Sequence, residues 1–256
     1  MSTVDIYRNH VRVTYGEVDG ALRLTHRGAM SIMQEAAIVH SSQSGYAMED
    51  VDRTHVIWML VHWRVKMVKD ACWNEAVAVK TWPRSMGRVT SVRNFEISNA
   101  RGETVALGES EWILVSTDTG RAKRITPEIA GAYQLVPRDV FSEPFPAAPE
   151  GEGEAVCRLD IRRSDMDTNH HVNNLVYLDY ALEALPEGFS CDEVAVAYHR
   201  QLLPGQRVVC RRLVQDDLVA VDLVGEGDGI LHGRVLFRAA GAKAVEVLDS
   251  VPESMV

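Results

Sequence analysis

The feature that most constrains this chain is that it contains one pattern twice. Asp19-Gly20-Ala21-Leu22-Arg23-Leu24-Thr25-His26 leads into an apolar run ending near Ala37. Asp167-Thr168-Asn169-His170-His171-Val172-Asn173-Asn174 leads into another, ending near Leu185. A single offset of 148 residues, with no gap, pairs Asp19 with Asp167, Leu24 with Val172, Glu35 with Glu183 and Ala36 with Ala184. The first run places Met30, Met33, Ala37 and Ile38 three or four apart, and the second does so with Leu175, Leu178, Leu182 and Leu185. That spacing predicts two helices, the second stopped by Pro186 and Gly188.

Strand-like runs follow each helix. They are Val56–Met67, Ala76–Trp82, Thr90–Asn99 and Thr104–Thr117 in the first half. In the second half they are Glu193–His199, Arg207–Val214, Leu218–Val224 and Ile230–Arg238. Asn99-Ala100-Arg101-Gly102 and the glycine-rich Gly225–Gly229 supply turns. Each half thus reads as a strand, one long helix and four strands. Without βα alternation, that order predicts an α+β fold in which an antiparallel sheet wraps one helix, twice over. Pro137, Pro144, Pro146, Pro149, Gly151 and Gly153 mark a stiff connector between the halves. The predicted domains are 1–138 and 156–256, joined by a linker at 139–155.

Composition removes several function classes. Hydrophobic residues make up 46% of 256, enough for a core, which excludes disorder. The longest apolar run, Val56–Val61, falls far short of the roughly 18 residues of a membrane span. The opening residues have no basic region followed by an apolar core, so no signal peptide is expected. Cys72, Cys157, Cys191 and Cys210 lie far apart without a CxxC pair, and Cys191 reads as a small buried apolar residue. A reduced, cytoplasmic protein is the expectation. A formal charge of −9 has the wrong sign for capture of nucleic acid.

The chemistry concentrates in Arg162–Asn174, the densest polar cluster of the chain. A carboxylate and an imidazole four residues apart can hold and activate a water. The start of the following helix offers unpaired N–H groups that polarise a carbonyl. Helix capping explains one or two of these polar residues, not all of them. The first half has Ala21 where the second has Asn169, and Arg23 where it has His171. One structural half and one catalytic half are therefore expected. Asp165, Asp167, His170 and His171 are metal-ligand types, but adjacent histidines point apart and no distant partner completes a set, so no metal is expected. No GxSxG elbow, phosphate loop or dinucleotide fingerprint occurs, and no cofactor is expected.

The string Arg162-Arg163-Ser164-Asp165-Met166-Asp167-x-Asn169-x-His171-Val172-Asn173-Asn174-x-x-Tyr177 resembles the signature of acyl-acyl-carrier-protein thioesterases. Trp58-x-Leu60-x-x-Trp63, Val79-Lys80-Thr81-Trp82-Pro83 and Arg124-Ile125 extend the resemblance into the first half. It implies two tandem hot-dog domains, each a long helix wrapped by an antiparallel sheet, and hydrolysis of a fatty acyl thioester. Asp167 is then the residue that orients the loop, Asn169 positions or polarises the thioester, and His171 activates water. The implied partner is an acyl carrier protein, acidic as a class, docking on a basic face drawn from Arg84, Arg88, Arg121, Lys123, Arg124, Arg158, Arg162 and Arg163. The implied acyl-chain pocket lies in the first half, among a subset of Met30, Met33, Trp58, Met59 and Trp63, which otherwise read as core. A monomer or a homodimer of tandem pairs both fit.

One position departs from the family pattern. In Tyr198-His199-Arg200-Gln201-Leu202, Gln201 stands where members often carry Glu, and Leu202 where plant members carry Cys. The Gln201 amide can hold a water but cannot take its proton. The alternatives are an acyl-CoA thioesterase of the hot-dog superfamily and a non-catalytic acyl-binding protein.

Overall fold

The computed structural model describes residues 6–168 and 170–242, in two compact units. One is built from the chain up to Pro146 together with Val194–Tyr198, the other from Ala147–Glu193 and His199 onward.

The first unit opens with β1 (Tyr7–Arg12) and a one-turn 3-10 helix, Tyr15–Glu17, and continues into α1 (His26–Gln43). Thr25 caps α1 by accepting from Gly28 N at 3.0 Å, and Gly45 just past its end takes φ +75, the left-handed exit that glycine tolerates best. After the short α2 (Val51–Thr54) come β2 (Val56–Met67), β3 (Ala76–Met86), β4 (Thr90–Asn99) and β5 (Thr104–Ser116), then α3 (Pro127–Gly131). These strands lie in the order β1-β3-β4-β5-β2, each antiparallel to its neighbour.

Met30, Met33, Ala36 and Ala37 of α1 are buried, as are Trp63 and Phe95, whose rings lie 4.9 Å apart. A side chain at Gly108 would overlap Met33 Sδ, so glycine lets α1 settle on β5. Trp58 is only partly buried and donates its indole N–H to Tyr133 Oη at 3.1 Å. Ile38, expected on the apolar stripe, is 44% exposed. β3 outruns its expected end at Trp82 because a register shift between Pro83 and Ser85 accommodates the proline, which has no N–H to give the ladder.

The second unit repeats the plan with β6 (Glu154–Asp160), a 3-10 turn at Arg163–Asp165, and α4 (Asn174–Leu182). β7 (Cys191–Tyr198), whose residues from Val194 onward belong to the first unit, precedes β8 (Arg207–Gln215), β9 (Leu218–Gly225) and β10 (Leu231–Ala239). The order β6-β8-β9-β10 reproduces β1-β3-β4-β5. The sheets agree with the α+β expectation, but α4 has nine residues against the eighteen of α1. Ala184 N and Leu185 N bond three residues back, to Ala181 and Leu182, so the helix tightens and ends before Pro186 is reached. Leu182, predicted on the buried stripe, is exposed. Among the described residues no helix is long and apolar enough to cross a membrane.

Candidate active site

The polar cluster forms a compact turn between β6 and α4. Asp165 ends the 3-10 helix with its side chain folded inward, 2% exposed. Its carboxylate accepts from Arg162 N at 2.7 Å, from Arg162 Nε at 3.0 Å and from Tyr180 Oη at 2.6 Å. Burial alone pushes the Asp165 carboxyl up, but the Arg162 and Tyr180 bonds outweigh it and hold the group below its ordinary range. Burial, with the bond to Asp165, pushes the Tyr180 phenol strongly upward. The Asp165 carbonyl accepts from Asn173 N at 2.8 Å, and Met166 bridges to Val172. This frame pinches off residues 167–171. Inside it, Asp167 N donates to His171 O at 2.9 Å and His170 N to Asp167 O at 3.1 Å, with His170 at φ +62.

The helix cap is Asn173, whose Oδ1 accepts from Leu175 N at 2.9 Å, rather than Asp167. Asp167 is left to face His171: its Oδ2 lies 3.7 Å from His171 Nδ1, with the side chains 16% and 18% exposed. That separation is too long for a hydrogen bond, so the two side chains face each other across the turn without bonding to one another. Asn169, the third residue expected here, lies outside the described residues. Gln201 is exposed on the segment that follows β7. Its neighbour Leu202 is fully buried and accepts from Val172 N at 3.0 Å, so the backbone brings Gln201 and the His171 turn side by side.

No thiol competes for the chemistry at this place. Leu202 occupies the position at which a cysteine was considered, and burial pushes the Cys191 thiol up to about 12, far from a thiolate at neutral pH. Tyr177, quoted in the signature without a role, gains one. Its hydroxyl donates to Arg200 O at 3.1 Å and accepts from Leu202 N at 3.0 Å, tying the Gln201 segment to α4. Asp165 and Tyr180 were not singled out as working residues from the sequence. The four-residue frame Arg162–Asp165, matching Thr14–Glu17, carries the capping-box spacing that identifies Asp165. Of the arginines proposed as a basic face, Arg84 pairs with Asp139, Arg158 with Glu226 at 3.2 Å and Arg162 with Asp165 at 2.9 Å. Among the described residues, Arg88, Arg121, Lys123 and Arg124 form no ion pair. Their two segments are joined by the bond from Ile125 N to Arg88 O at 2.9 Å.

Residues 4–133 match the family model of the acyl-ACP thioesterase N-terminal domain, and residues 150–223 that of the C-terminal domain. An oleoyl-acyl carrier protein thioesterase 2 of Arabidopsis thaliana is 28% identical over 61% of this chain and 48% of its own length. An acyl-[acyl-carrier-protein] hydrolase of Cuphea viscosissima is 25% identical over 94% of this chain and 61% of its own. The chain thus spans about half the length of the first of these plant relatives. A solved acyl-ACP thioesterase from Bacteroides thetaiotaomicron superposes with a TM-score of 0.82 at 19% identity, covering 91% of this chain and 97% of that one, which identifies the shared fold.

Proposed function

The chain belongs to the acyl-ACP thioesterase family, and from that premise we propose that it hydrolyses the thioester of a fatty acyl-acyl carrier protein, releasing free fatty acid and carrier thiol. The observation that carries this reading is the pairing of Asp167 with His171 on a turn whose first-half copy holds Asp19 and Arg23. An arginine cannot act as a base at neutral pH, whereas a histidine titrates there.

His171 turns Nδ1 toward Asp167, which leaves Nε2 to take a proton from water as the water oxygen attacks the thioester carbonyl. Asp167 stabilises the imidazolium so formed. Asn169 holds the substrate carbonyl, and the Gln201 amide positions the water without accepting its proton. As the tetrahedral intermediate collapses, the C–S bond breaks and His171 returns the proton to the departing thiolate. The unpaired cations Arg88, Arg121, Lys123 and Arg124 support docking of an acidic carrier protein on the first unit. Such release of the acid ends chain growth on the carrier, which supports a role in fatty acid biosynthesis.

The test is thiol release from a panel of acyl-acyl carrier proteins and matching acyl-CoAs, alongside His171→Ala. We expect release that requires both the carrier protein and His171. Release from CoA alone assigns the chain to acyl-CoA thioesterases. Binding of acyl chains without release makes it an acyl-binding protein.

A further inference from the structure

Gln201 is exposed, and residues 199–206 form no strand or helix, so whatever fixes this segment also sets where the amide points. Tyr177 holds it from α4. A second grip comes from His232 on β10, a fully buried residue. The His232 carbonyl accepts from His199 N at 2.9 Å and from Arg200 N at 3.0 Å. Its ring Nδ1 lies 3.0 Å from Gln201 O and 3.3 Å from Arg200 O, and its Nε2 lies 3.3 Å from Asp228 Oδ2. Both ring nitrogens thus face acceptor oxygens. Asp228 is itself fixed by Ile230 N, which donates to its Oδ1 at 3.0 Å. Arg200 is the other charged group that acts on Asp228. A side chain at Gly225 would collide with Asp228 Oδ1 and crowd the His232 ring, so the local backbone is shaped around this pair.

We propose that His232, braced by Asp228, is a positioning residue for the hydrolysis: it grips the Arg200–Gln201 peptide so that the Gln201 amide is presented beside the Asp167–His171 turn. The inference rests on the thioesterase reading above. It differs from a generic packing role because the ring bonds the very peptide that carries Gln201, and the next residue is bonded to the His171 turn. Sequence offered no sign of it, since His232 sits alone in a strand.

The test measures steady-state hydrolysis of acyl-acyl carrier protein by the full chain. His232→Leu removes both ring nitrogens, and His232→Asn restores a donor near the Nδ1 position. We expect His232→Leu to lower kcat about 10- to 100-fold with KM changed less than about twofold, and His232→Asn to recover most of that loss. Asp228→Asn, at a partly exposed residue, lowers kcat about 3- to 10-fold in the same sense. In a double-mutant cycle, His232→Leu adds nothing to Gln201→Ala if it acts through Gln201. Should His232→Leu fail to fold, the cycle is run with Asp228→Asn. Additive losses, a wild-type kcat, or losses that merely track the folded fraction seen by circular dichroism overturn the proposal. His171→Ala runs beside them. If it is inactive while the His232 and Asp228 variants are unimpaired, this inference alone fails; if it turns over normally, the site reading fails and takes this inference with it.

Discussion

The two turns that precede α1 and α4 share their backbone bonds among the described residues and differ in side chains. Asp19 N donates to Arg23 O at 2.8 Å, as Asp167 N does to His171 O at 2.9 Å. Val18 bridges to Leu24, as Met166 does to Val172. Thr25 N reaches the Glu17 carbonyl at 2.9 Å and Asn173 N the Asp165 carbonyl at 2.8 Å. Leu22 and His170 share the left-handed backbone, at φ +61 and +62. Even the carboxylate and its partner four residues on are retained, as Asp19–Arg23 at 3.1 Å and Asp167–His171 at 3.7 Å. The turn is thus a frame that folds irrespective of chemistry. Between the copies an arginine gives way to an imidazole, and its contact with the acid loosens from a bonded pair to a facing one; the proposed function rests on that exchange.

The substitution that breaks this comparison most sharply is His171→Arg, which writes the first turn's pair into the second. It should fold with unchanged thermal stability, because the frame already accommodates Asp with Arg. Thiol release should fall by a factor on the order of 10² to 10⁴, the usual contribution of a general base. Retained turnover would mean that the difference between the copies is not catalytic.

The frames themselves differ in what holds their first corner. Glu17 accepts from Thr14 N at 2.7 Å, whereas Asp165 adds the Arg162 guanidinium and the Tyr180 hydroxyl. Asp165→Asn leaves the buried Tyr180 hydroxyl and the exposed Arg162 guanidinium without their charged acceptor and should cost about 1–3 kcal/mol in denaturant unfolding, with Glu17→Gln costing less. The Asp165 carboxyl titrates lower in the fold than its ordinary 3.8. Its stabilisation is therefore complete above that value and is lost as pH falls through the folded value. Asp165→Asn should flatten the stability profile in that acid window; an unchanged acid limb would show that other carboxylates dominate it.

Helix entry sharpens the comparison from the other side. A Cβ at Gly28 would overlap the Glu17 carbonyl oxygen, so the first turn lies hard against α1. At the corresponding place in α4 stands Val176, buried without such an approach. Gly28→Ala should destabilise the first unit by about 1–3 kcal/mol, since backbone must move to admit the methyl. Chemical denaturation reads it, and a neutral result would show that the turn can back away as the second has.

Most of the architecture was legible because it depends on period and order. The runs 56–67 and 90–99 match β2 and β4 end to end, and the 148-residue offset places both helix starts, His26 and Asn174, in register. What escaped was set by local backbone bonding or by tertiary partners. The early end of α4 follows from bonds three residues back that no propensity announces. Asp165 stood in the signature and among the metal-ligand types, but its structural work lies in its burial against Tyr180, which no spacing announces. His232 works through peptide carbonyls, which carry no residue identity for a sequence pattern to register.

The smallest effect bears on how many positions separate the two turns. Leu22 and His170 both sit where an L side chain crowds its own backbone, a strain of roughly 1–2 kcal/mol. Glycine removes that strain, but the unfolded chain regains freedom worth up to about 1 kcal/mol, so each change to Gly should stabilise by less than about 1 kcal/mol. Leu22 is 42% exposed, so little burial is lost there. Thermal unfolding of Leu22→Gly and His170→Gly should give matching small gains, and His170→Gly should keep its thiol-release rate. A matched pair confines the chemical difference to 169 and 171, with 170 serving only to turn the chain. A stabilised His170→Gly that loses turnover would instead place a second imidazole in the reaction, and the frame would no longer be separable from the chemistry it carries.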